Sequence, residues 1–134
     1  MGAALTTVLV DSHVLHWWSA EPEKLSRTAA RELESADEIA VATITWFELA
    51  WLAAHERIAV GVPIRSWLDS LAFGVRTMAA TPSIATTAVE LPSSFPGDPA
   101  DRLIYATAIE HGWQLVTKDR RLRDHRHPRR ITVW

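Results

Sequence analysis

The chain contains no cysteine. That excludes disulfides, thiolate metal sites and a cysteine nucleophile, and it suits a reducing compartment. No glycine-rich phosphate loop, dinucleotide fingerprint or Ser-His-Asp order occurs, so the chemistries that rest on those motifs drop out. The six histidines make no ligand set: His13 and His16 are three apart on one predicted helix, with no third partner near in sequence. The N-terminus has no basic region, and its apolar stretch is broken by Thr6 and Thr7 and ends at Asp11. It reads as neither a signal peptide nor a membrane span, and the expectation is a cytoplasmic protein with no membrane partner. There is no repeat, low-complexity segment or long linker. The 134 residues are expected to form one domain over 1–134, long enough to bury a core without staples.

What is present is ordinary in bulk and uneven in detail. Hydrophobic residues make up 48% and charged residues 22%, as in a typical globular domain. The net charge of −2 hides a basic C-terminal stretch: Lys118, Arg120, Arg121, Arg123, Arg126, Arg129 and Arg130 stand against Asp119 and Asp124. A basic rim beside an acidic centre suits a polyanion held near a metal; it also serves as a solubilising surface. Seven tryptophans are many for this length. Trp46, Trp51 and Trp67 are expected in the core. Trp17 and Trp18 are adjacent and point in different directions, so one of them is expected at the surface.

Strand and helix signals alternate. Thr6–Val10 is β-branched and apolar and reads as a buried strand, with helices after it over 13–19 and 27–36, the second capped by Ser26. A strand at 39–42 precedes apolar helices at 45–56 and 64–73. Next come a short strand at 75–79, a helix at 83–90 and the loop 92–97. A helix over 99–111 stops at Gly112, then come a strand at 114–117, a turn at 119–123 and a strand at 131–133. The alternation implies a mostly parallel sheet covered on both faces. Such sheets bind ligands outside the carboxyl ends of their strands, where the strand order reverses.

Four carboxylates fall on that edge. Asp11 closes the first strand, Glu48 lies in the first turn after the second, Asp101 starts the helix that feeds the late strand, and Asp119 lies two residues past the end of that strand. Each has a plain structural role available. Asp11 can cap the helix after it and Asp119 can start the turn at 119–123. Asp98-Pro99 is a standard helix start with Asp101 in its first turn, and Thr45-Trp46-Phe47-Glu48 fits a capping box. Caps would accept serine, threonine or asparagine equally well. A uniformly acidic set in one crevice needs a compensating cation, and Mg²⁺ or Mn²⁺ bound through oxygen answers that need and suits phosphate chemistry. Thr117 and Ser12 can orient a carboxylate or a water. Arg102 can hold a substrate phosphate or pair with Asp98.

Three phrases resemble a known family. Val10-Asp11-Ser12-His13, the run Asp98-Pro99-Ala100-Asp101-Arg102-Leu103-Ile104-Tyr105-Ala106-Thr107-Ala108, and Leu115-Val116-Thr117-Lys118-Asp119 are similar to those of PIN domains. More narrowly they resemble the VapC-type toxins of VapBC toxin–antitoxin pairs. The likeness extends over nearly the whole chain, in its length, its element order and the proline-rich loop before Asp98. It implies a three-layer α/β/α sandwich around a central mostly parallel sheet. It also implies a Mg²⁺- or Mn²⁺-dependent endoribonuclease that cuts structured RNA, often transfer or ribosomal RNA. The catalytic and metal-binding quartet would be Asp11, Glu48, Asp101 and Asp119, with Asp98 as an accessory carboxylate. A small antitoxin protein and a second copy of the chain are the implied partners. The departures are Ser12 in place of threonine, Ala100 where an aromatic is frequent, and Phe47 between Trp46 and Glu48.

On this reading, a metal-activated water attacks phosphorus in line, leaving a 5′-phosphate and a 3′-hydroxyl. Arg102 helps to neutralise the developing charge, and Arg120, Arg121 and Arg123 grip flanking phosphates. The competing readings are a nuclease of RNA maturation or of DNA, a catalytically silent PIN-like binding module, and a phosphoacceptor receiver domain. The last lacks an acidic pair after strand one and an aspartate ending a middle strand.

Overall fold

The computed structural model describes residues 5–126 and 129–134. Five strands form one parallel sheet: β1 (Thr7–Val10), β2 (Glu38–Ala42), β3 (Arg76–Met78), β4 (Gln114–Val116) and β5 (Thr132–Val133), in the order β3-β2-β1-β4-β5. The order runs outward from β1 in one direction and resumes on its other side with β4. The switch point therefore lies at the carboxyl end of β1, beside β4.

The strands read as unbroken apolar runs because both faces of the sheet are covered. Val8, Val10, Ile39, Val41 and Val116 face one layer, made of α1 (Ser12–Ala20), α2 (Arg27–Ser35), α3 (Ile44–Ala54) and α4 (Ile64–Phe73). Leu9, Ala40, Ala42, Met78 and Leu115 face the other. There α6 (Pro99–His111) supplies Ile104, Tyr105 and Ala108, the preceding loop supplies Phe95, and α7 (Arg120–Arg123) supplies Leu122. Helix α5 (Pro82–Glu90) packs on α6 through Ile84, Ala88 and Ala106. This is the three-layer arrangement expected from sequence. The elements match the predicted ones to within a residue or two, and a single 3-10 turn at Pro22–Lys24 is added.

Local chemistry sets the helix ends that matter for the site. Asp98 caps α6 by accepting from the amides of Ala100 and Asp101, with Pro99 in the first turn, where its missing N–H has no partner to lose. The helix stops at Gly112, whose φ of 68° is a left-handed cap that a side chain would strain. The predicted capping box does not form. Thr45 lies inside α3, fully buried, and Glu48 turns toward α1 instead.

Helix α3 holds the chief departure. It is apolar on every face, so its sequence carries no phase signal for burial. Leu49 and Thr45 face inward, with Trp46 and Leu52 packed against the core. Trp51 lies about 200° around the helix from Leu49. It is 44% exposed and stacks on His55 at 3.9 Å, so the expectation of a core Trp51 is corrected. Phe47 is also exposed. Trp46 and Trp67 do pack against the core, and Trp18 is the exposed member of the Trp17–Trp18 pair. No helix among the described residues is long and apolar enough to cross a membrane.

Candidate active site

A cleft of about 920 Å³ opens at the carboxyl end of the sheet. Asp11, Glu48, Asp98, Asp101 and Asp119 all line it. Four different elements deliver these groups: the β1–α1 junction, α3, the start of α6 and the β4–α7 junction. The structural and functional readings of these acids are not exclusive, because Asp11, Asp98 and Asp119 each cap a helix and still face the cleft.

The inner acids are held by hydroxyls. Asp11 Oδ1 accepts from the Val14 amide at 3.0 Å, and Asp11 Oδ2 accepts from the Thr117 hydroxyl. Thr117 is fully buried, and its hydroxyl oxygen also accepts from the Asp119 amide at 3.1 Å. One threonine thus ties the end of β4 to the acid at the end of β1. Ser12, 4% exposed, donates to Glu48 Oε1 at 2.6 Å. Burial pushes the carboxyls of Asp11 and Glu48 above the usual range, and these hydroxyl donors pull them back in part.

The outer acids are held by a cation. The Arg121 guanidinium grips Asp119 in a fork, Nε to Oδ1 at 3.1 Å and Nη2 to Oδ2 at 2.7 Å, and Nη2 also reaches Asp101 Oδ2 at 3.2 Å. These hydrogen bonds hold Asp119 below the normal carboxylate range. Asp101 is pushed up to about 6, first by burial and then by the negative charge of Asp98, with Arg121 opposing. Among the described residues, no three His, Asp or Glu side chains are gathered closely enough to hold a metal ion as they stand.

The predicted cations take different places from those expected. Arg102 reaches neither a phosphate position nor Asp98. All five of its N–H donors go to backbone carbonyls, those of Pro96, Ala88, Leu91, Pro92 and Phe95. Its guanidinium also lies 5.7 Å from the Phe95 ring centroid. It holds the 91–96 loop against α6 and has no donor left for substrate. Arg120 and Arg123 do not line the cleft, whereas Arg121 does, engaged with the acids.

Sequence reasoning missed two features of the lining. Lys118 lies at the cleft with its Nζ 5.7 Å from the Trp17 ring centroid. Ile44, Phe47, Trp51 and Leu52 form an apolar wall interrupted by Glu48. Positions 44, 47, 48, 51 and 52 fall on one helix face, but α3 is apolar on its other faces as well, so no local signal marks this one.

Residues 8–128 match the PIN domain. The chain is 71% identical over 130 residues to Ribonuclease VapC22 of Mycobacterium tuberculosis, covering 97% of this chain and 100% of that protein. Two solved structures share the fold. One is VapBC2 of Rickettsia felis bound to a DNA fragment from its promoter, with a TM-score of 0.66 at 16% identity, covering 89% of this chain and 92% of that one. The other is a toxin–antitoxin complex from Klebsiella pneumoniae, with a TM-score of 0.60 at 23% identity, covering 84% and 86%. By the extent of the domain match and the identity over nearly its whole length, the chain belongs to the PIN-domain family, in the group of the VapC ribonucleases.

Proposed function

We propose that this chain is a metal-dependent endoribonuclease, the toxin half of a type II toxin–antitoxin pair, acting as one nuclease domain in the cytoplasm. The observation that carries this reading is the placement of five carboxylates around one cleft at the switch point of a parallel sheet. The 71% identity to a protein named as a ribonuclease supports it.

The donor set suits Mg²⁺ or Mn²⁺. Every candidate ligand is a carboxylate oxygen, and a cation, the Arg121 guanidinium, already stands between two of them. When bound, such an ion lowers the pKa of a water in its shell and offsets charge on the phosphate. Asp11, Asp101, Asp119 and Glu48 are the residues that would hold it. Thr117 fixes the rotation of Asp11, and Ser12 fixes Glu48, so neither carboxylate has to be ordered at the moment of reaction. Asp98 caps α6 and adds negative charge beside Asp101. Arg102 acts at a distance from the chemistry by anchoring the loop that leads into Asp98.

Lys118 attracts phosphate at the cleft, and Arg120 and Arg123 meet flanking phosphates outside it. Exposed Phe47 and Trp51 offer rings on which an unstacked base can lie, in keeping with a loop of transfer or ribosomal RNA as substrate. A small antitoxin is the proposed protein partner, in line with the two toxin–antitoxin complexes that share the fold. A homodimer is the proposed assembly.

The test is incubation of total cellular RNA with the purified, partner-free protein in Mg²⁺ or Mn²⁺, and again in EDTA. Discrete fragments that vanish in EDTA are expected. Intact RNA under every metal condition, from a folded sample, points instead to a DNA substrate or a silent binding module.

A further inference from the structure

Two arginines, Arg102 near the start of α6 and Arg121 at the cleft, are committed in different ways. Arg102 is locked to five backbone carbonyls and cannot leave without stranding them. Arg121 touches the cleft only through carboxylates, and its side chain is 63% exposed on a one-turn helix. Swinging it outward breaks no core contact.

Its position conflicts with the proposed metal site. Arg121 engages both oxygens of Asp119 and one of Asp101. A divalent ion held by these two acids would draw on oxygens that Arg121 already engages. It would also be a like charge within a few ångströms of the guanidinium, well inside the screening length of about 10 Å. The two cations therefore exclude one another. Asp101 Oδ2 and Asp119 Oδ2 both accept from Nη2, at 3.2 and 2.7 Å, so one guanidinium nitrogen already occupies the point that the two acids share.

We propose that Arg121 is a built-in counter-cation that competes with the divalent ion for Asp101 and Asp119, and that its release to an RNA phosphate couples metal loading to substrate binding. In the ion-free protein the guanidinium keeps the two acids compensated. A phosphate of bound RNA offers Arg121 another bidentate anion partner, and the acids it vacates are then open to the metal. By linkage, RNA tightens metal binding and metal tightens RNA binding by the same factor. The inference rests on the metal-nuclease reading of this cleft.

Calorimetric titration of MnCl₂ alone into wild-type protein, Arg121→Ala, Arg121→Gln and Arg120→Ala, without RNA, tests it through a dissociation constant and not through activity. The expected result is Mn²⁺ binding about tenfold tighter in both Arg121 variants, within the usual range of coupling between sites, and unchanged in Arg120→Ala. Two substitutions are used so that a folding defect in one, read from its thermal melt, leaves the other to decide. Wild-type binding with equal or weaker binding in the Arg121 variants overturns the competition while leaving the metal site intact. No Mn²⁺ binding by any of the four proteins overturns the metal reading and the inference together.

Discussion

The two sides of the acidic cleft are built on different principles. On the inner side, Asp11 and Glu48 are oriented by Thr117 and Ser12, both buried and both anchored at the ends of the central strands. On the outer side, Asp101 and Asp119 are held by an exposed arginine from a one-turn helix. The inner acids are set by the sheet itself. The outer acids are set by a side chain that can leave. Under the proposed function, the fixed half would define where chemistry occurs and the adjustable half would admit the ion and the substrate.

The largest expected effect is on the outer side. Asp101→Asn keeps the shape and removes one charge from the ligand set, so RNA cleavage should fall by more than about 100-fold, beyond what loss of a supporting contact costs. A normal rate, measured as fragment yield from total RNA, would show that Asp101 is only a helix-terminus acid. Thr117→Val probes the inner side. It keeps the β-branched shape but frees Asp11 Oδ2, and a loss of about 10- to 100-fold in cleavage is expected, with Thr117→Ser recovering most of it. Equal rates for Val and wild type would mean that the hydroxyl anchor does not matter.

On stability, the two arginines should separate. Arg102→Ala leaves up to five carbonyls without their donor, four in the 91–96 loop and that of Ala88 in α5, and should cost about 2 kcal/mol or more in urea unfolding. Arg121→Ala should change stability by less than about 1 kcal/mol, because its ion pairs are exposed and it removes no core packing. Reversed magnitudes would break the distinction between a locked and a releasable arginine.

The smallest expected effect is a pH dependence. Asp101 has a folded pKa raised to about 6 from an ordinary value of 3.8. Its contribution to stability is therefore fully present below about pH 3.8 and is lost as pH rises through about 6. Asp119, held low by Arg121, contributes with the opposite sign, present above its ordinary value and lost on acidification. In EDTA the melting temperature should thus lose roughly 3–5 °C between pH 4 and 6 on account of Asp101, and Asp101→Asn should flatten that fall. Added Mg²⁺ should restore more stability at pH 7 than at pH 5, because its ligands must be deprotonated. An Asp101→Asn melt that keeps the full pH slope would place the cause elsewhere.

Much of this arrangement is legible in the sequence, and the reasons are local. Thr6–Val10 shows a strand because a doubly covered parallel sheet asks for an unbroken apolar run. Asp98-Pro99 and Gly112 mark the two ends of α6 because their backbone chemistry fits only there. The acids fall on one edge as soon as the strands are taken as parallel. What the sequence does not reveal depends on the tertiary fold. Helix α3 is apolar all round, so nothing local says that Trp51 and Phe47 face the cleft while Leu49 faces the sheet. Arg102 meets carbonyls of a loop whose path is set only once α5 and α6 pack together. The neighbours Arg120, Arg121 and Arg123 look alike in sequence, and the turn after Asp119 alone decides that Arg121 reaches the acids. The capping box at Thr45–Glu48 fails for a similar reason: α3 starts at Ile44, and Ser12 on another helix claims Glu48.

The proposed function would have these carboxylates hold an ion that activates water against an RNA phosphate. The chemistry of the cut ends tests it most directly, by ligation and labelling of the fragments released in Mg²⁺ or Mn²⁺. The prediction is a 5′-phosphate and a 3′-hydroxyl at every cut, with no cuts in EDTA. A 2′,3′-cyclic phosphate with a 5′-hydroxyl, or cutting that persists in EDTA, would contradict it, since the attacking oxygen would then come from the RNA itself or the ion would not be needed.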